Sequence, residues 1–192
     1  AVNERQRRLY PRRHYFEQVC GVIANSGRSI PIFNDKHLSD NWSDACWMHS
    51  RAQELKLPFM AGSALPVTCR TPDLEHELDT PIEEAVSVGF HHSYPTALDS
   101  YGFHGLEALQ CMIERRAGGE TGIVAVQCLE GTKVWEAEQH GAWSQELIDK
   151  AIELVEPKRD GSKEDNCENP TAFLIEYADG LKTVTLMLPE YL

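Results

Sequence analysis

The feature that most constrains this chain is a short apolar run that breaks into polar residues and leads to a helix. It reads Ile30-Pro31-Ile32-Phe33, then Asn34-Asp35-Lys36-His37-Leu38-Ser39. Four residues are too few for a helix, and β-branched and aromatic side chains favour a buried strand. Asn34, Asp35, Lys36 and His37 then fall at its carboxyl end, where open α/β sheets bind their ligands. Before the run, Tyr15, Phe16, Val19, Val22 and Ile23 recur at helical spacing. That spacing predicts a helix over 11–25, with Pro11 in its first turn and Gly27 at its stop. After the run, a second helix is predicted over 42–56. Asn41 is its N-cap, Asp44 completes a short capping box, and Ala45, Cys46, Met48, Ala52 and Leu55 form its buried face. Pro58 to Gly62 reads as another short buried strand. Helix, strand, helix and strand with short connections require parallel strands and right-handed crossovers.

The pattern changes at Ser63. Residues 63–80 carry Pro66, Pro72 and several charges without a period, as an irregular connection does. A strand is predicted over 82–90, a helix over 99–116 closed by Gly118-Gly119, and a strand over 121–130. Helices over 134–139 and 144–155 follow, then a charged loop over 156–169. The runs 171–177 and 181–188 flank Ala178-Asp179-Gly180, a hairpin signal. The fold class is therefore α/β followed by α+β. Residues 1–65 form half of a doubly wound parallel sheet, and residues 66–192 an α+β domain with an open, largely antiparallel sheet.

Composition narrows the function. A formal net charge of -12 leaves no basic footprint for nucleic acid. The one basic cluster, Arg5, Arg7, Arg8, Arg12 and Arg13, reads as a solvated helix start. None of the six cysteines makes a C-x-x-C pair. Most sit in apolar segments as small hydrophobes, which fits a reducing, cytoplasmic setting. No apolar run approaches the ~18 residues of a membrane span, so no membrane partner is expected. The chain does not begin with Met and ends just after a strand-like run, and a fragment of a longer protein is expected.

Each chemistry-bearing group has two readings. Lys36 at a strand end either polarises a carbonyl or cofactor, or is an exposed turn lysine. His104 and Glu107, spaced i, i+3 near a helix start, share a face. They form an acid/base pair in which the carboxylate fixes the tautomer, or a structural helix terminus. Gly102, between Tyr101 and Phe103, lets backbone or ligand approach closely. His91-His92 beside Tyr94 offer metal ligands or an ordinary loop, and neighbours in a regular strand point to opposite faces. Asp35, His37, His104 and Glu107 together would suit a divalent ion, without any H-x-x-x-H spacing to support it. No G-x-G-x-x-G occurs, and Gly118-Gly119-Glu120-Thr121-Gly122 precedes a strand instead of following one.

Two ordered motifs resemble the glucose–fructose oxidoreductase / inositol dehydrogenase family. That family has a strand ending in Glu-Lys-Pro, a helix, and a strand ending in Gly. Here Asp35-Lys36-His37-Leu38-Ser39, the helix from Trp42, and Phe59-Met60-Ala61-Gly62 stand in the same order. Farther on, the family's Asp-x-Gly-x-His-x-x-Asp is matched by Gly102, His104 and Glu107, with Ser100 at the first position and Asp99 beside it. Asp35 is shorter than the family's Glu, and His37 replaces its proline. The resemblance implies the C-terminal half of a Rossmann-like domain over 1–65 and a substrate and oligomerisation domain over 66–192. It implies NAD or NADP in the intact protein, held by Asp35, Lys36 and Gly62. It implies catalysis by Lys36, His104 and Glu107, with substrate contacts from Asp99, Tyr101 and Gly102. The substrate is a sugar or polyol, and subunits associate through the open sheet. A metal-dependent isomerase or lyase, and a non-catalytic member kept for ligand binding or oligomerisation, are the alternatives.

Overall fold

The computed structural model describes residue 4 and residues 8–91, 97–156 and 158–192. The chain divides into two compact units, residues 1–64 and 65–192.

The first unit runs α1 (Arg12–Ser26), β1 (Ile32–Asp35), α2 (Trp42–Glu54) and β2 (Phe59–Gly62). Pro11 sits just before α1 as its cap, one residue earlier than the sequence suggested. Gly27 ends α1 in the left-handed region (φ 64°), and its N–H bonds the Ile23 carbonyl at 3.1 Å. The cap on α2 is half of the predicted box. The Asn41 side chain accepts from the Asp44 N–H at 3.1 Å, while the Asp44 carboxylate pairs with Arg13. α2 stops before Lys56, which adopts φ 52°. Lys56 and Leu57 donate to the carbonyls of Gln53 and Ala52, so a lysine stands where such a stop prefers glycine.

β1 and β2 pair in parallel, with Asp35 opposite Gly62. The expectation for β1 needs correction. Pro31 has no N–H to give the ladder, so the first cross-strand bond is Ile32 N–H to the Pro58 carbonyl at 2.9 Å. The strand therefore starts two residues late and takes in Asn34 and Asp35. Neither strand is buried: Phe33 is 56% and Met60 67% exposed. The core of the unit lies under the other face, where Phe16, Cys20 and Ile23 of α1 meet Met48, Ala52 and Leu57. Of the predicted α2 face, Met48 and Ala52 are buried and Cys46 is exposed.

The second unit begins with a 3₁₀ turn (Leu65–Val67) and an irregular stretch. It continues with β3 (Glu84–Gly89), α3 (Leu98–Ile113), β4 (Ile123–Glu130), α4 (Thr132–Gln139), α5 (Gln145–Glu153), α6 (Lys163–Asn166), β5 (Thr171–Tyr177) and β6 (Lys182–Met187). The four strands form one mixed sheet in the order β3-β6-β5-β4. β3 runs parallel to β6, and the other two pairs are antiparallel. Alternation along the strands divides the packing. Leu109 and Ile113 of α3 meet Tyr177 and Leu181 on one side. On the other, Val134 of α4 and Ile148 and Ile152 of α5 meet Ala172, Val184 and Leu186. β4 lies at an edge with Ile123, Val124 and Val126 largely exposed. The charged loop contains the short α6, capped by Ser162, whose Lys163 is buried against Glu138 (3.2 Å) and Glu164 (2.8 Å).

The carboxyl end of α3 is tied to the β5–β6 hairpin through Arg116, which is 3% exposed. Its guanidinium donates to Asp179 (2.7 Å), Glu120 (3.3 Å), Thr121 Oγ1 (3.2 Å) and the Ile113 carbonyl (3.1 Å), and lies 4.7 Å from the Tyr177 ring centre. Burial opposes its charge, but the bonds to Asp179 and Glu120 hold its pKa above the ordinary value. The cysteines correct the reading of them as small core hydrophobes: only Cys20 and Cys167 are buried, and Cys46, Cys69 and Cys128 are exposed. No described helix is long and apolar enough to cross a membrane.

Candidate functional site

In the first unit, the parallel pairing of β1 and β2 brings Asp35, Lys36 and Gly62 together at the two carboxyl ends. The Lys36 N–H donates to the Gly62 carbonyl at 2.9 Å, and the Lys36 ammonium lies 2.5 Å from the Asp35 carboxylate. The Asp35 side chain is 63% exposed and that of Lys36 22%, so the ion pair itself adds little stability. The backbone is the more telling feature. Lys36 has φ 69°, a left-handed conformation that costs a residue with a Cβ about 1–2 kcal/mol. Such a shape persists only where its surroundings over-determine it, and such positions cluster at functional sites.

Those surroundings are visible. The Asn34 side-chain amide donates to the carbonyls of Lys36 (3.3 Å) and His37 (3.0 Å). From α1, Arg12 Nη2 donates to the Asp35 carbonyl at 3.2 Å, and Nη1 lies 3.3 Å from His37 Nδ1. The Arg12 guanidinium stacks 4.2 Å from the Tyr10 ring centre, and Tyr10 and His37 meet edge to face at 5.4 Å. The sequence reading missed Tyr10 and Arg12 and placed Arg12 among solvated arginines. Nothing in the sequence links a helix-start arginine to a turn 23 residues on. Asn34 carried a signal, since an Asn side chain often bonds backbone two or three residues ahead.

In the second unit, α3 carries Asp99, Tyr101, Gly102, His104 and Glu107. Gly102 is buried against the sheet. A Cβ there would come within 2.9 Å of the Phe173 ring, and one at Gly105 within 2.9 Å of Thr185 Cγ2. The two glycines, one helical turn apart, let α3 lie close on β5 and β6, so the freedom of Gly102 serves that contact. With Leu98, Gly102, Gly105 and Leu109 turned to the sheet, the helical period puts His104 and Glu107 on the side turned away from it, both half-buried. The Tyr101 and His104 rings stand edge to face at 6.4 Å. Asp99 lies in the first turn of α3 with both carboxylate oxygens shielded and without a hydrogen-bond partner among the described residues. His91 is buried just beyond β3, and His92 and Tyr94 lie outside the described residues.

Among the described residues no group of three or more His, Cys, Asp or Glu side chains is placed to hold a metal ion. The cavities of the second unit include one of about 300 Å³ beside Arg70, Cys111 and Arg115. Another of about 910 Å³ runs beside β3 and α3, lined by Ile82, Ala85, Leu109 and Met112 among others. One of about 490 Å³ lies on the sheet near Trp143, Glu176 and Lys182. None of these is lined by the predicted site residues.

No protein-family model matches the sequence, and no curated protein matches it. Among solved structures, the chain is similar to a UDP-N-acetylglucosamine 3-dehydrogenase from Acidithiobacillus ferrooxidans, with 14% identity and a TM-score of 0.47 over 94% of this chain and 47% of that one. It is also similar to a candidate dehydrogenase from Bordetella bronchiseptica, with 14% identity and a TM-score of 0.49 over 93% of this chain and 42% of the other. The chain spans less than half the length of either structure.

Proposed function

We propose that this chain is part of an NAD(P)-dependent oxidoreductase acting on a sugar or polyol. The observation that carries the reading is Lys36, held left-handed at the carboxyl ends of two parallel strands beside Asp35 and Gly62. A cation on a fixed turn next to a residue without a side chain fits the nicotinamide end of a dinucleotide. Asp35, Lys36 and Gly62 would hold that end. The chain contains no G-x-G-x-x-G, so these residues account for the nicotinamide end alone. When bound, the dinucleotide supplies the hydride acceptor that side chains lack.

In this reading the Lys36 ammonium polarises the reacting oxygen and stabilises negative charge as it develops there. His104 accepts the hydroxyl proton at a ring nitrogen. Glu107, on the same side of α3, fixes the tautomer that leaves this nitrogen free to accept. Tyr101, exposed on α3, meets the substrate, while Gly102 acts through the close contact with Phe173 that sets α3 on the sheet. The exposed apolar row Ile123, Val124 and Val126 on β4 supports association of subunits through the sheet.

Turnover of polyols by the full-length protein tests the roles. Lys36→Ala and His104→Ala are each expected to lower kcat/KM by at least about 100-fold, the range of a lost electrostatic or acid/base contribution. Variants that keep wild-type turnover would overturn the assignment.

A further inference from the structure

We propose that Arg12 is a positioning residue: by gripping the turn on both sides of Lys36 it fixes the direction in which the Lys36 ammonium points. This rests on the oxidoreductase reading for its purpose, though not for its geometry. The turn Asp35-Lys36-His37 is held in a shape that Lys36 would not adopt unaided. On one side the grip is local, since the Asn34 amide and the Gly62 carbonyl belong to the strands themselves. On the other it comes from another element. One nitrogen of Arg12 donates to the carbonyl before Lys36, and the other meets the ring of the residue after it.

Only a planar, forked cation spans two such partners at once, and the guanidinium is itself fixed by stacking on Tyr10. Tyr10 in turn packs edge to face on His37. The three side chains close a ring around the turn, with α1 as the anchor. A lysine at position 12 would keep the charge and lose the fork.

The test is hydrogen exchange of the Lys36 amide in the chain as it stands, read by NMR. In Arg12→Ala the protection of this amide is expected to fall at least about tenfold, while amides in the middle of α1 and α2 keep theirs. Millimolar guanidinium, but not sodium at equal ionic strength, should restore it, and Arg12→Lys should behave like Arg12→Ala. An arginine with a merely structural role would not give selective loss at Lys36 with guanidinium rescue. If Arg12→Ala does not fold, the comparison is made with Arg12→Lys. Unchanged Lys36 exchange in the folded variant, or equal loss across the whole unit, would overturn the proposal. The exchange experiment needs no cofactor. Failure of the full-length protein to bind a dinucleotide would thus remove the oxidoreductase reading and leave the exchange result standing. In a binding-competent enzyme, Arg12→Ala should lower kcat with little change in substrate KM and recover with guanidinium.

Discussion

Arg116→Met isolates the contact that fixes α3, and with it His104 and Glu107, to the sheet. Methionine keeps the length of the apolar stem and removes the guanidinium. Four hydrogen bonds are lost, two of them to carboxylates, along with the cation over Tyr177. Removing one partner of a buried ion pair costs about 3–5 kcal/mol when the other charge stays buried. Here the Glu120 and Asp179 side chains are 41% and 25% exposed, so water can solvate them once the arginine is gone. That lowers the expectation to about 2–4 kcal/mol. At roughly 3–5 °C per kcal/mol for a unit of this size, the melting temperature of the second unit should drop by about 6–20 °C. The assay is thermal unfolding followed through Trp135 and Trp143, with hydrogen exchange of β5 and β6 amides as a second readout. The exposed pair Lys150 and Glu146 is the control, and Lys150→Ala should leave the transition where it is. A loss below about 1 kcal/mol for Arg116→Met would refute the reasoning, because the hairpin would then hold α3 by apolar packing alone.

The same cluster sets an acid limb. The bond from Arg116 holds the Asp179 carboxyl below the ordinary carboxylate range. Burial pushes Glu120 up, but bonds from the Gly122 N–H, Gln110 and Arg116 outweigh it and leave its pKa lowered. This stabilisation is present in full above the unfolded value near pH ~4 and is lost as pH falls through the lower folded values, so the wild-type acid limb should be steeper than that of Arg116→Met. Gly105→Ala should destabilise by about 1–2 kcal/mol, since its Cβ meets the fully buried, β-branched Thr185, whereas Gly21→Ala, with nothing within 4 Å, should stabilise α1 by about 0.5–1 kcal/mol; urea unfolding reads both. Lys36→Gly should relieve the left-handed turn and raise the stability of the first unit by up to about 1 kcal/mol while abolishing turnover, and lower stability would show that the lysine is not strained. Burial pushes the Cys167 thiol up to about 12, so iodoacetamide at mild alkaline pH should label Cys46, Cys69 and Cys128 and leave Cys167 untouched until the chain unfolds.

Local signals carried the elements. The Asn41 cap, the Gly27 stop and the hairpin around Asp179-Gly180 depend on a few neighbouring residues, and the chain forms each where those residues stand. The parallel pairing of β1 with β2 followed from the short connections. Burial was less legible. Ile30 to Phe33 reads as a core strand, yet a two-stranded sheet covered on one face leaves alternate residues exposed, and no local pattern reveals how many strands will join. Cys128, on the edge strand β4, was misjudged for the same reason.

At the candidate site, Asp35, Lys36 and Gly62 were grouped by the family resemblance alone, and the parallel register that places Asp35 opposite Gly62 is what brings them together. The left-handed lysine was not foreseeable, since nothing about Lys36 favours that shape, and it arises from contacts with Asn34, Gly62 and Arg12. Gly102 was legible as a close approach, but sequence alone does not say that the approaching group is the Phe173 ring.

Binding of NADH and NADPH to the full-length protein, followed by nicotinamide fluorescence, tests the central claim most directly. Micromolar affinity for one of the two, weakened at least about tenfold by Lys36→Ala, is the predicted result. Absence of binding to either, or binding that Lys36→Ala leaves unchanged, would contradict the account.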